Sequence, residues 1–513
     1  MKRPVLIPLL GILAFGGGCE WGTTLEGEQD DARTEVVEGS ADAPPAEGGE
    51  TADAIVDDGP ACPIWVVPEV RGGVEDGSVE RPYVGLRRAL DARGSCDHVI
   101  LAGATARTPF DAGVDINLAR GQVLTIEGDP GAPDRAELNA NDEVGLFATG
   151  DGTLVLRRLA VRRGAGAAGA CLNADVREVR LEDTEWADCR ATGECGAIWI
   201  HAANVRLTDS RFLRAAVPPS IDSPTSLVGA VCVDGPPDTS EILVERCRFE
   251  GNMAYGGRAL DMRALTRNAV VRDCVFIDNT SRFGPVALGG IIGELEHNLF
   301  EANEAREGGP IVGVDGTPGT SITHNLLLEN TTGPEGSALQ ASHGTVANNL
   351  FVDNVCDRTG CVAGIWVPGG IGGAVDVRNN TFVGNESAEG VAHLAFDSAF
   401  GRMRSNLFVG GAGEVAIDVR HEDWGLTAEL TFSAWWDVPE PVWGESVRVG
   451  AGNIEADPRF AAGDVYELGT GSMAIDAGDP DPSLEDVDGS RNDIGAFGGP
   501  DGEWIPLDRG GAP

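Results

Sequence analysis

The chain has 513 residues, of which 42% are hydrophobic and 72 are glycine; it can bury a large core and is too turn-rich for a helical bundle. Its formal net charge is −43, which repels nucleic acid and anionic lipid headgroups and leaves neither as an expected ligand. Lys2 is its sole lysine, so lysine chemistry (general base or Schiff base) is excluded from any body that follows the N-terminus.

In chain order, Lys2 and Arg3 precede a short apolar run, Val5 to Phe15, and then Gly16-Gly17-Gly18-Cys19. A charged start, an apolar stretch too short to span a bilayer and small residues before a cysteine read as an export signal over 1–18, with Cys19 lipidated after cleavage. Glu20 rather than Asp follows the cysteine, so outer-membrane or cell-surface placement is expected, with the lipid as the membrane contact. Residues 19–60 are rich in Glu, Asp, Gly, Ala and Pro and cannot bury a core. They read as an acidic tether whose r.m.s. reach is roughly 35 Å.

Order is expected from 61 onward, in a body over 61–452. Ile64 to Val67 reads as a strand, Tyr83 to Ala92 as a short amphipathic helix, and Val99 to Ala102 as a second strand. An open stack of strands needs a covered end, and this helix suits that position.

From about residue 155 the chain repeats. Each unit places an apolar residue, a small polar residue that is often Asn, a large apolar residue and a second Asn at fixed offsets, as in Leu295 to Asn303 and Ile322 to Asn330. The large apolar position recurs at Leu159, Trp186, Phe212, Phe249, Phe276, Phe300, Leu327, Phe351, Phe382 and Phe408, mostly 24 to 27 residues apart. A second strand follows in each unit, such as Ile198 to Ile200 or Ile365 to Val367. Such a period, with several short strands per unit, describes one coil of a solenoid. The expected fold is all-β, a right-handed parallel β-helix of about ten or more coils, roughly 50 Å long, that stacks like residue on like. Stacked Asn amides would hydrogen-bond along the axis and satisfy turn backbone.

The chain has eleven cysteines, and setting aside Cys19 leaves ten, an even number for an oxidising compartment. Cys62/Cys96, Cys189/Cys195 and Cys356/Cys361 are expected staples. Cys247 and Cys274 occupy equivalent repeat positions, and Cys171 and Cys232 remain to pair across strands.

These repeats, with the helix and strand from Pro82 to Gly103, resemble the pectate-lyase-like family of right-handed β-helix proteins. Residues 453–513 are similar to that family's C-terminal closing segment, most clearly over Ala474 to Asp479 and Asp486 to Gly498. The resemblance covers about 62 to 500 and implies fold more than activity, because the fold hosts lyases, hydrolases and binding proteins. Within the closing motif, Asp486, Asp488 and Asp493 are hard oxygen ligands for a possible Ca²⁺; alternatively Arg491 neutralises them and pins the last coil.

The family's paired catalytic Asp residues and Arg-Ile-Lys are missing. Ser342-His343-Gly344 is read as a turn histidine, and His297 and His324 as a surface column. By the resemblance, the outward face of the second strand lines a carbohydrate cleft: Trp199, His201, Asp234, Asp261, Arg263, Asp315, Trp366, Asp418 and Arg420, walled by loops 189–195, 215–228 and 356–361. Tryptophan offers a stacking face for sugars, and Asp and Arg offer hydrogen bonds. Two functions are expected from this: a monomeric, non-catalytic surface protein that binds a glycan or a surface partner, or a polysaccharide lyase or hydrolase using Asp234, Asp261 and Arg263. Convergence of Asp234, Asp261 and Asp315 beside Arg263 discriminates them.

Overall fold

A computed structural model describes residues 62–510, except for 70–73, 194–195, 218–229, 236–240, 264–268, 369–373, 398–399, 421–427, 444–446 and the single residues 414, 439, 464 and 509. The signal, Cys19, the tether, Cys195 and most of loop 215–228 lie outside the described residues.

The described body is an all-β parallel solenoid. Its strands form three parallel sheets of 16, 14 and 20 strands, here called sheets 1, 2 and 3 in the order the chain visits them in each coil. Every strand pair in the ladders is parallel, and each strand pairs with its equivalent one coil away; Leu181 lies beside Leu207 and Leu207 beside Val244. A strand in register with its own repeat puts identical side chains over one another, and this is why the periodic columns in the sequence become continuous stripes of core.

Sheet 2 carries the aromatic column. Phe212, Phe249, Phe276 and Phe300 stack with ring centroids 4.6–4.8 Å apart, and Phe351, Phe382 and Phe408 continue after Leu327. All are buried. The stack departs from the expected column at one end: Val161, not Leu159, lies beside Trp186. The longer strand Leu159–Arg162 begins earlier, and counting from repeat length alone placed the column two residues off.

Two polar ladders run beside the core. In one, each amide from Asn252 through Asn279, Asn303, Asn330 and Asn354 donates to the next, ending at Asn385, with donor–acceptor distances of 2.9–3.0 Å. In the other, Asn298, Asn325, Asn349, Asn380 and Asn406 do the same. Each of these Asn side chains also donates to a backbone carbonyl, for example Asn303 Nδ2 to Phe276 O at 2.9 Å. The turn backbone would otherwise be buried without partners, so the ladders are what make the tight corners tolerable. The residue preceding each ladder Asn adopts positive φ, as at His297 (54°), His324 (58°), Asn348 (55°) and Glu329 (52°).

The second ladder explains two cysteines. Cys247 N donates to Cys274 Sγ at 3.4 Å, and Cys274 N donates to Asn298 Oδ1 at 2.9 Å. Both thiols are fully buried and stand where neighbouring coils place Asn. They are ladder members rather than half-cystines, and burial pushes the Cys274 thiol well above its ordinary pKa.

Disulfides join Cys62 to Cys96, Cys171 to Cys189, and Cys356 to Cys361. The middle pair corrects both the Cys189/Cys195 and the Cys171/Cys232 expectations. Cys171 and Cys189 are 18 residues apart, yet the coil brings their Cα atoms to 5.8 Å. Chain proximity favoured the wrong partner, and solenoid geometry decides the right one.

The N-terminal end is covered by the helix Leu86–Ala92, which buries Leu86 and Ala89. The helix starts three residues later than expected, because Tyr83–Val84 pairs as a strand with Val66 and Val67. At the other end the chain does not simply stop over the last coil. After Ile454–Glu455 pairs with sheet 2, it turns back and runs along the outer face of that sheet. Ala474 and Ile494 pack on Leu407 and Ala434, Ala496, Phe497 and Trp504 pack around Leu350 and Val352, and Leu507 reaches the Val275–Leu299 cluster. Strands such as Leu326–Leu328 and Leu350–Val352 are therefore covered on both faces, which is why they read as unbroken apolar triplets.

Candidate functional site

The outward row of sheet 3 runs, coil by coil, through Trp199, Cys232, Asp261, Gly289, Gly313, Gln340 and Trp366. Trp199 and Trp366 are half-buried and six coil spacings apart, ~29 Å. Between them the face is not open. Cys232 and Asp261 are buried, a Cβ at Gly289 would strike the Arg258 side chain, and one at Gly313 would strike the Pro285 ring. Arg258 and Pro285 come from the segments that precede the strands Leu260–Met262 and Leu288–Gly290, not from the three loops expected to wall the face, and most of loop 215–228 lies outside the described residues.

The proposed carboxylates do not converge. Asp261, 1% exposed, is ion-paired to Arg258 and also to Arg263 at 2.7 Å. Each oxygen of this carboxylate is held by a guanidinium. Asp234 lies 3.6 Å from His201, and Asp315 is exposed farther along the axis. Trp366 donates its indole N–H to Asp397 at 2.8 Å. Asp418 is buried on strand Val415–Arg420, and the Arg420 side chain lies outside the described residues.

The closing motif also differs from expectation. Arg491 does not neutralise the carboxylates: it donates to the carbonyls of Ala477 and Gly478 and lies over the Phe432 ring. Asp486 accepts the backbone N–H of Asp493 and Gly499, and Asp493 accepts that of Asp476 at 2.6 Å. Asp488 accepts from Ser490. All three carboxylates accept backbone N–H groups of the closing segment, and among the described residues no group of three or more His, Cys, Asp or Glu is placed to hold a metal ion. Burial, then the charges of Asp486, Asp476 and Asp488, push the Asp493 carboxyl up to about 6, opposed by its bond from Asp476 N–H.

His297 and His324 do not form an exposed column. His297 bonds Asp273 through Nδ1 and the Ile505 carbonyl through Nε2, both at 2.6 Å. His324 Nε2 bonds the Asp501 carbonyl at 2.8 Å, and its ring centroid lies 5.3 Å from that of Trp504. The pair holds the returning C-terminal strap.

An open groove lies on sheet 1. A groove of about 1060 Å³ crosses the strands Glu178–Glu182, Asn204–Thr208, Glu241–Glu245, Ala269–Arg272, Glu294–Glu296 and Ser321–Thr323. Five coil spacings make it ~24 Å long. Its floor includes half-buried Leu243 and Val270, Arg206 and Glu241 are exposed in it, and the turn Thr317–Pro318–Gly319 stands beside one end. That turn is held by Thr317 N donating to Thr320 Oγ1 at 2.8 Å. Arg180 pairs with Glu178 at 2.6 Å, and Arg157 with Glu182 at 2.5 Å. Burial raises the Glu294 carboxyl, reinforced by a hydrogen bond with Glu296 and that group's charge, against the pull of Arg272.

The sequence carried a signal for this groove that the repeat reading passed over. Ile242-Leu243-Val244 and Ala269-Val270-Val271 are apolar at three successive positions, so an alternating strand must turn one apolar residue outward. In comparison with known proteins, no family model and no curated protein sequence matches the chain.

Proposed function

We propose that this is an exported, lipid-anchored surface protein that binds an extended extracellular ligand, a glycan before a protein partner, without transforming it. The observation that carries the reading is the sheet 1 groove: long, shallow and floored by apolar side chains between charged ones. Such a surface suits a polymer whose contacts add coil by coil. Disulfides in the body support an oxidising compartment. Placement at the outer membrane rests on the Gly-Gly-Gly-Cys19 sequence, and mass spectrometry of the mature N-terminus tests it: a start other than lipidated Cys19 refutes the anchor. The two guanidiniums on Asp261 support binding over lyase or hydrolase chemistry at that position.

A polysaccharide panel read for binding and for product release tests the function. Arg206→Ala and Val270→Asp are expected to lower affinity for a bound glycan at least tenfold, while Trp366→Ala leaves it unchanged. New reducing ends or unsaturated products would overturn the non-catalytic reading. Loss of binding in Trp366→Ala alone would move the site back to sheet 3.

A further inference from the structure

The groove's charge pattern says which ligand it takes. Four of its lining residues are glutamates and two are arginines. Arg180 is held by Glu178, which leaves Arg206 as the exposed cation on the floor. Glu178, Glu241 and Glu294 stand on the first, third and fifth strands of the groove. Glu178 and Glu241 share one row two coils apart, ~9.6 Å along the axis, close to the length of two sugar rings in an extended chain, and Glu294 stands on the neighbouring row in line with Leu243 and Val270. The strands between them present Asn204 with Arg206, and Val270. A chain lying along the axis would meet the Glu178 and Glu241 carboxylates two rings apart with Asn204 between them, and on the row beside it Arg206, Leu243, Val270 and then Glu294.

A polyuronate is ill-suited to this surface. Its own carboxylates would face Glu241 and Glu294, with Glu245 and Glu296 together on the row beyond Glu294, in a chain that already carries a net charge of −43. Glu245 is already shared by Arg246 and Arg272, so those cations are committed. Deepening the glycan reading above and resting on it, we infer that the groove selects an amine-bearing glycan, a polymer of amino sugars with unacetylated ammonium groups, and rejects polyuronates. Glu241 and Glu294 face the ammonium groups, Arg206 donates to ring or hydroxyl oxygens, and Leu243 and Val270 take the apolar faces of the rings.

Titration calorimetry with three hexamers of matched length tests this: glucosamine, N-acetylglucosamine and galacturonate. The glucosamine hexamer is expected to bind at least tenfold tighter than its acetylated counterpart, with affinity falling as salt rises, and the galacturonate hexamer to show no heat of binding. The double variant Glu241→Gln, Glu294→Gln is expected to abolish the preference for the amine while leaving the acetylated hexamer's affinity in place. Unchanged melting confirms that the variant is folded; if it is not, Glu241→Gln alone, at an exposed position, is expected to reduce the preference at least threefold. Equal binding of the amine and acetylated hexamers overturns the amine selectivity and leaves the groove reading standing. Binding of galacturonate, or a preference that survives the variants, overturns it as well. If none of the three binds, the glycan reading falls with it.

Discussion

Asn303→Ala tests whether the asparagine ladders hold the solenoid together. Asn303 is fully buried. Its Oδ1 accepts from Asn279 N and Asn279 Nδ2, and its Nδ2 donates to Phe276 O and Asn330 Oδ1, all at 2.9–3.1 Å. Alanine removes four buried hydrogen bonds and takes a partner from two donors and two acceptors. At about 1 kcal/mol net for each bond, rising where a stranded group keeps its full desolvation cost, the loss is about 4–6 kcal/mol. That is a large part of the 5–15 kcal/mol that ordinarily separates folded from unfolded chains. Glu304→Ala, one residue on and half-exposed in an ion pair with Arg306, is the control and is expected to change stability by no more than about 0.5 kcal/mol. Urea melts give the magnitude. Amide exchange gives the location, because a solenoid transmits stability between neighbouring coils and the lost protection should centre on residues 276–330. If Asn303→Ala lies within about 1 kcal/mol of wild type, or protection falls evenly along the molecule, the ladder is not the stabilising element argued here.

Three further perturbations follow from the structure. His393 is fully buried between Phe382 and Phe408, its Nε2 bonded to Gly410 O at 3.0 Å, and burial depresses its pKa to about 4. Unfolding lets it take up a proton, so its contribution is complete above about pH 6.5 and is lost as pH falls toward 4, up to about 3 kcal/mol. Melting temperatures of His393→Gln, compared with wild type across this window, should show a flatter pH dependence, and identical slopes would exclude His393 as the cause. Asp493 is the opposite case: its folded pKa is raised, so its contribution is present below the unfolded value of 3.8 and is lost as pH rises through about 6. Asp493→Asn should therefore stabilise the protein at pH 7 by about 1 kcal/mol, discounted for partial exposure, and the gain should vanish near pH 4; a destabilised variant at pH 7 refutes this. Trp504→Ala removes the indole that donates to Ala496 O at 2.8 Å and stacks on Phe497. It should free the strap and increase binding of an apolar dye to the Leu326, Leu350 and Val352 strip; unchanged dye binding and unchanged exchange over 496–507 would refute the latch.

The amino-acid order by itself determined the periodic part of this protein. A solenoid repeats one local environment, so a residue's neighbours above and below are its own repeats, and periodicity in sequence is contact in space. The Phe column and both Asn ladders were legible for that reason. What depends on contacts away from the repeat was decided only by the tertiary structure. Cys189 pairs with Cys171 instead of its near neighbour because the coil, not chain distance, sets the Cα separation. Cys247 and Cys274 stay thiols because stacked ladder positions place them side by side as hydrogen-bonding partners. Sheet 3's outward row was expected as a cleft and is roofed by Arg258, Pro285 and their neighbours, residues whose positions no period specifies. His297 and His324 grip a strap that returns from some 180 to 210 residues away. Periodicity reports neighbours along the axis and is silent about what folds back across it, and in this protein that determines which outer face is covered and which stays open.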